Sequence, residues 1–347
     1  MRQWKIYPGR TSDPLVLEHV DVDAYAKELS SGEVRIKVRA ASLNFRDLML
    51  LRGVYPGVDA PVVPLSDGAG EVLAVGPGVT RVAVGDRVTA TTVSNWIDGA
   101  FDSRSRSAGH LGFSAPGWLA EEIVLPDTAL VKLPDTMTYP SAATLPCAGV
   151  TAWNAIVEIA RICPGGRVLT LGTGGVSMFA VQITKLLGAQ ALVTSSSDAK
   201  LDRVKALGAD EGINYMTEPV WADRVRALTN GEGVDLVIEN AGTLGQSVKS
   251  TRFGGMVVVI GALSVLVPGA APAAASDDAG LMGLFRSGVT VKSIVMGNRR
   301  MLERLVGAYG MNEVEPVIDR TFAFDDAPAA FEALAAATHV GKIVITV

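Results

Sequence analysis

The sequence predicts an α/β protein in two parts, a mostly antiparallel β region at the front and a doubly wound parallel sheet entered near the middle of the chain. Three observations carry this expectation. Val34-Arg-Ile-Lys-Val-Arg39 alternates strictly between apolar and basic residues, as a strand does when one face is in a core and the other in water. From Val168 onward, short apolar runs alternate with helical patterns that close at glycine, which is the signature of successive βαβ units. Between the two regimes, Val168-Leu-Thr-Leu-Gly-Thr-Gly-Gly-Val-Ser177 ends an apolar run in a glycine cluster that opens directly into an amphipathic helix.

Taken in order, short strands at 70–76 and 87–92 with glycine turns continue the front region. Val176, Phe179, Ala180, Ile183 and Leu187 fall at helical spacing, and Gly188 stops that helix before a strand at 191–194. A second helix runs through Leu201, Val204 and Leu207 to Gly208, followed by strands at 212–215, 234–239 and 257–260. At the other end, Asp325 and Asp326 begin a helix through Ala330, Phe331 and Leu334, and Lys342-Ile-Val-Ile-Thr-Val347 reads as a strand returning to the front domain.

The glycine cluster has a chemical reading. Gly172 permits the tight turn, Gly174 lets backbone approach phosphate oxygens, and Gly175 exposes the unpaired amides and positive dipole end of the next helix. With Val176 these residues form an expected pyrophosphate site, although the third position of the usual G-x-G-x-x-G pattern holds Ser177. Set within two consecutive βαβ units, the cluster points to a dinucleotide.

The 347 residues fit two domains, and 48% hydrophobic content supplies two cores. A net charge of -5 argues against nucleic acid or an anionic membrane as partner and for a small molecule. Cys147 and Cys163 are too few for a disulfide framework and, in apolar surroundings, read as buried thiols of a reducing compartment. The N-terminus lacks the pattern of a secretory signal, so a cytoplasmic location is expected. The apolar run at 256–275 is broken by Gly261, Pro268, Gly269 and Pro272, and reads as a buried strand followed by a loop.

Several motifs, in this order, resemble the medium-chain dehydrogenase/reductase superfamily over nearly the whole chain: Asn44-Phe-Arg-Asp47, Ser66-Asp-Gly-Ala-Gly-Glu-Val72, Val84-Gly-Asp-Arg-Val88, Leu145-Pro-Cys-Ala-Gly-Val-Thr-Ala-Trp153, the Gly172 loop, Pro316-Val-Ile-Asp319 and Gly341-Lys342. The resemblance implies a GroES-like catalytic domain over 1–132 and 298–347, and a Rossmann cofactor domain over 133–297. Zinc alcohol dehydrogenases of the superfamily carry Gly-His-Glu where this chain has Leu65-Ser66-Asp67, and a cysteine ligand where it has Asn44. His19, His110 and His339 match none of the ligand positions, so no catalytic zinc is expected. The structural zinc lobe is replaced by a Gly- and Ser-rich segment, 98–117, expected to form a mobile loop in which Arg104 and Arg106 are solvated or meet an acidic substrate. Within the superfamily the chain is similar to the zinc-free quinone oxidoreductase group, which includes zeta-crystallin and is related to the enoyl reductase domains of fatty acid and polyketide synthases.

An acid at the end of the second cofactor-domain strand would select NAD, and that place is Ser195. Ser195, Ser196 and Lys200 offer hydroxyl donors and a cation suited to the 2′-phosphate of NADPH. Asp198 tempers this, though its position fits a helix N-cap. The resemblance further places Tyr215 beside the adenosine end, Thr151 near the nicotinamide ribose, and the backbone of Gly261, Met296 and Gly297 at the nicotinamide half.

Reducing a simple ketone builds an alkoxide that needs a Lewis acid or a strong proton donor, whereas hydride added to a quinone or enone spreads the charge by conjugation. The expectation is therefore an NADPH-dependent enone or quinone reductase, and the resemblance implies that Asn44 lies beside the nicotinamide and the substrate carbonyl. Tyr55 is either a proton donor or substrate clamp, or a packing aromatic. Asp67 is read as a structural acceptor, and Cys147 and Trp153 as packing residues. The pocket would draw on Leu48, Leu51, Tyr55, Trp96 and the 98–117 loop. Two other readings stay open: an NAD(P)-dependent alcohol dehydrogenase or carbonyl reductase, and an NADPH-binding protein with little catalysis. A homodimer, paired through sheet edges around 257–267, is expected from the family likeness.

Overall fold

The computed structural model describes residues 1–7, 16–22, 28–54, 61–107, 109–261 and 281–347. The chain forms two compact units, Met1–Val150 with Gly297–Val347, and Thr151–Met296.

The first unit opens with a hairpin of β1 (Arg2–Tyr7) and β2 (Val16–Asp21). Its main sheet contains β3 (Glu33–Ser42), β4 (Asp67–Val75), β5 (Arg87–Ala90), β6 (Glu122–Pro126) and β7 (Leu130–Lys132). Val34, Ile36 and Val38 are buried, while the basic residues between them lie toward solvent, as the alternation requires. The alternation stops at Ala40, Ala41 and Ser42, all buried, just past a register shift against β4. The strand ends at Ser42, and Asn44 is the N-cap of the helix Phe45–Leu51.

The second unit holds β8 (Arg167–Leu171), β9 (Gln190–Ser195), β10 (Glu211–Asn214), β11 (Val234–Glu239), β12 (Thr251–Val259) and β13 (Thr290–Ser293) in one parallel sheet, ordered β10-β9-β8-β11-β12-β13. Apolar β8, β9 and β11 are buried along almost their whole length because helices cover the sheet. The strand order reverses direction between β8 and β11, the switch point at which open α/β sheets bind ligands beyond the strand C-termini. The chain then returns to the first unit with β14 (Ile318–Ala323) and β15 (Lys342–Thr346), and β15 pairs antiparallel with β3, Val344 opposite Ser42. Its apolar residues join a core with Trp118, Ile123, Phe324 and Phe331.

Four expectations need correction. The 98–117 segment is folded rather than an open loop: it carries the helix Ser103–Ser107, bridges Val93 to His110 and buries Leu111. Cys163 is exposed, its Sγ 3.6 Å from the Arg161 carbonyl, because it sits in the turn leading into β8 rather than on a packed element. The cap of the helix Asp198–Ala206 is Ser197, whose Oγ accepts from the Lys200 amide at 3.4 Å. The strand expected over 257–260 begins at Thr251. Of the 256–275 run, residues 262–275 lie outside the described residues, and no described helix is long and apolar enough to cross a membrane.

Candidate functional site

In the second unit, β8 ends at Leu171 and the chain turns at Gly172, whose φ of +80° is strained for any side-chain-bearing residue. Gly174 caps the helix Gly175–Leu186 with an ordinary φ of -75°. A Cβ placed there would meet nothing within 4 Å. Packing therefore does not require glycine at 174, and the space it leaves lies at a helix N-terminus, where the first-turn amides lack intrahelical acceptors. Bare backbone, open space and the positive dipole end fit a pyrophosphate. Ser177 is 1% exposed; its hydroxyl donates to the Leu171 carbonyl at 3.0 Å and accepts from Thr170 at 3.1 Å. It ties helix to strand by hydrogen bonds where the usual glycine does so by close approach.

At the end of β9, Ser195 is buried and its Oγ accepts from the Ser197 amide at 3.3 Å, whereas Ser196 is exposed and Lys200 half-buried. Asp198, which could have opposed a phosphate, accepts from Asn214 Nδ2 at 2.8 Å. Tyr215 follows β10, its amide bonded to the Ser195 carbonyl at 3.0 Å.

Sequence reasoning missed Glu239, the buried last residue of β11. Its Oε1 accepts the amides of Ala241, Gly242 and Thr243 at 2.7, 2.8 and 3.3 Å, and its Oε2 accepts the hydroxyls of Thr243 and Ser247. One carboxylate thus fixes the whole turn beyond the strand at the switch point. The available signal was an acid closing an otherwise apolar strand. Gly261 lies beyond β12 beside this turn, a Cβ there coming 3.7 Å from the Asn240 carbonyl. Met296 has a φ of 25°, and its carbonyl accepts from buried Asn154 Nδ2 at 2.6 Å. Thr151 is buried in the same unit, while Gly297 falls in the first.

The first unit gathers a buried polar cluster around Asn44. The Asn44 amide donates to Asp47 Oδ2 at 2.7 Å, fixing the helix start. Lys342, at the head of β15, donates through Nζ to the Leu43 carbonyl and to Asn44 Oδ1, both at 2.5 Å, and lies 3.9 Å from Asp67 Oδ2. Asp67 also accepts from the Ser66 hydroxyl at 2.8 Å and the Cys147 amide at 3.1 Å. Asn44 Nδ2 is buried and makes no well-formed hydrogen bond, although it lies close enough to Asp67 to favour that carboxylate's charged form. Burial dominates the electrostatics: it pushes Asp47 up to about 7, raises Asp67 against the pull of Lys342, and lowers Lys342 against the pull of Asp67. Burial, with Asp67 alongside, pushes the Cys147 thiol up to about 12. The sequence reading set Asn44 and Ser66 where the family likeness puts zinc ligands, took Asp67 as a structural acceptor and gave Lys342 no role. Tyr55 lies outside the described residues.

Two family models match the chain: an alcohol dehydrogenase GroES-like domain over residues 30–135 and a zinc-binding dehydrogenase domain over 175–309. A zinc-type alcohol dehydrogenase-like protein of Schizosaccharomyces pombe is 39% identical over 328 residues, 92% of each chain. Among solved structures, an NAD-dependent alcohol dehydrogenase is 30% identical (TM-score 0.84), and a quinone oxidoreductase from Pseudomonas syringae pv. tomato DC3000 is 29% identical (TM-score 0.80), each aligned over 100% of both chains. The chain belongs to the medium-chain dehydrogenase/reductase superfamily, with its GroES-like and Rossmann folds, and is an oxidoreductase of that family.

The family name raises the question of zinc. A tetrahedral zinc site needs three or four nitrogen, sulfur or oxygen ligands. Asn44 Oδ1 and Asp67 Oδ2 instead face the Lys342 ammonium, which would repel a dication. No group of three or more His, Cys, Asp or Glu suited to a metal occurs among the described residues. This donor set does not fit zinc.

Proposed function

We propose that the protein is an NADPH-dependent, zinc-independent reductase that passes hydride to a quinone or an α,β-unsaturated carbonyl compound. The observation that carries this reading is the Asn44, Asp67 and Lys342 cluster, in which a buried ammonium faces Asn44, the residue standing where the family likeness puts a cysteine zinc ligand. Such groups suit an acceptor whose developing charge is spread by conjugation. The likeness to a quinone oxidoreductase supports the same direction.

In this reading NADPH supplies the hydride. The amides from Gly174 to Val176, behind the Gly172 turn, hold the pyrophosphate. Ser196 and Lys200 receive the 2′-phosphate, with Ser195 shaping their turn and Tyr215 flanking the adenosine. Thr151 and the backbone at Gly261, Met296 and Gly297 position the nicotinamide half. Asn44 meets the acceptor carbonyl, and the Tyr55 hydroxyl delivers the proton. Residues 1–132 with 298–347 would bind substrate and 133–297 the cofactor. We also read the protein as cytoplasmic and, because Phe253 and Phe285 are 75% and 79% exposed and β13 is the edge strand of the sheet among the described residues, as a homodimer. Alcohol oxidation is the second reading, favoured by the alcohol dehydrogenase relatives.

The test is a turnover panel on chelator-treated, metal-analysed protein: enones and quinones with NADPH against primary alcohols with NADP. Metal-free turnover of the enone or quinone arm, tighter binding of NADPH than NADH, and weakened NADPH binding in K200A are expected. Activity lost on chelation and restored by zinc, or tighter NADH binding, overturns the proposal.

A further inference from the structure

Lys342 and Asn44 stand 298 positions apart in sequence and 2.5 Å apart in the fold. A lysine ammonium carries three donors and no acceptor. Its nearest oxygens are the Leu43 carbonyl, Asn44 Oδ1 and, farther off, Asp67 Oδ2. The Asn44 atom that faces it must be the oxygen, because turning the amide over would set an NH2 against an NH3⁺. The rest of Asn44 is equally constrained, since its backbone amide is bonded to Asp47. With Oδ1 committed to Lys342, Nδ2 is the group left over, a buried donor that pulls on the nearby Asp67 carboxylate but completes no well-formed hydrogen bond.

Such a donor carries a desolvation cost that an oxygen brought by a ligand would remove. We propose that Lys342 is a positioning residue that locks the Asn44 amide in one of its two flips, reserving Nδ2 as a hydrogen-bond donor for an sp² carbonyl oxygen of the bound ligand. This rests on the reductase reading above. That oxygen is either the acceptor's carbonyl, where charge develops during reduction and the bond strengthens as it does, or the nicotinamide carboxamide. The lysine itself does not touch the ligand. It acts by making one orientation of a neutral amide the only paired one.

The experiment compares N44D, K342M and K342R with the wild type. N44D keeps an oxygen toward Lys342 and lacks the donor, so about a 100-fold fall in kcat is expected if the acceptor carbonyl is the ligand oxygen. If the carboxamide is that oxygen, the NADPH Kd rises instead. K342M frees the amide to flip, so kcat or NADPH affinity falls with acceptor KM little changed, and K342R restores part of the loss. An independent readout is the Asn44 side-chain NH2 pair in ¹⁵N–¹H spectra of ligand-free protein, identified by its disappearance in N44D. In K342M the pair is expected to move and broaden. Should K342M fail to fold, K342Q replaces it, because its amide can both donate and accept and no longer dictates the flip. An unmoved NH2 pair in the lysine variant, or N44D with unchanged kcat and NADPH Kd, overturns the inference. If the wild type reduces neither enones nor quinones, the reductase reading falls, while the NH2 signals still report whether Lys342 holds the amide.

Discussion

The Ser177 hydroxyl donates to the Leu171 carbonyl at 3.0 Å, so the first turn of a helix is bonded back to the end of the strand that precedes it. At this place in the glycine pattern, hydrogen bonding has replaced close backbone approach, and the substitution serves the joint between helix and strand. The amides proposed to hold the pyrophosphate lie before it, at 174–176. Ser177→Ala should therefore cost about 1 kcal/mol of stability and leave NADPH affinity within about twofold, which chemical denaturation and cofactor titration can check together. A large loss of affinity at unchanged stability would place Ser177 in the phosphate site instead.

Gly174 makes the opposite prediction. Its φ is ordinary, a Cβ there meets nothing within 4 Å and asparagine is a good N-cap residue, so Gly174→Asn should change stability by no more than about 0.5 kcal/mol. The new side chain would fill the space assigned to phosphate, and cofactor affinity should fall at least about tenfold. Gly172→Ala should instead cost about 1–2 kcal/mol even without ligand, because a φ of +80° crowds any Cβ. Equal stability losses in the two variants would sink this account of the loop.

Asp47 provides a pH signature. Burial pushes its carboxyl up from 3.8 to about 7, with Asp67 raising it further and Arg46, Lys342 and the Asn44 amide pulling it down. Because the folded value is the higher one, the folded state binds the extra proton between those limits. The associated stability is fully present below pH 3.8 and is lost as pH rises through 7. The span corresponds to a ceiling on the order of 4 kcal/mol. Asp47→Asn keeps an oxygen for the Asn44 amide and cannot ionise, so it should flatten this window and be the more stable protein above pH 7. Urea unfolding at pH 5 and pH 8 measures both effects, and parallel pH profiles for wild type and variant would contradict them.

Much of the second unit was legible because its signals are local. Apolar runs of strand length and glycine stops mark elements whose hydrogen bonds lie within a few dozen residues, and the glycine loop sits at the helix N-terminus where its pattern placed it. The cap was expected at Asp198 and stands at Ser197, since either residue type can cap and the bond from Asn214 draws Asp198 away. Glu239 was missed because a lone acid at a strand end gives no hint that five donors converge on it. The folded state of 98–117 escaped notice because its burial depends on distant partners rather than on its own periodicity.

The sequence by itself determined the α/β class, the alternation of strands and helices from Val168 to Val259, the bare-backbone turn and the residue types at Asn44 and Ser66. These follow from side-chain period, glycine stereochemistry and residue chemistry, which act over short stretches of chain. Only the tertiary structure decided what stands beside Asn44. Lys342 reaches it because β15 pairs antiparallel with β3, a register set by burial of Ile343 and Ile345 in a core shared with residues hundreds of positions away. Which buried charge meets which amide depends on that long-range pairing, and no local pattern in the chain encodes it.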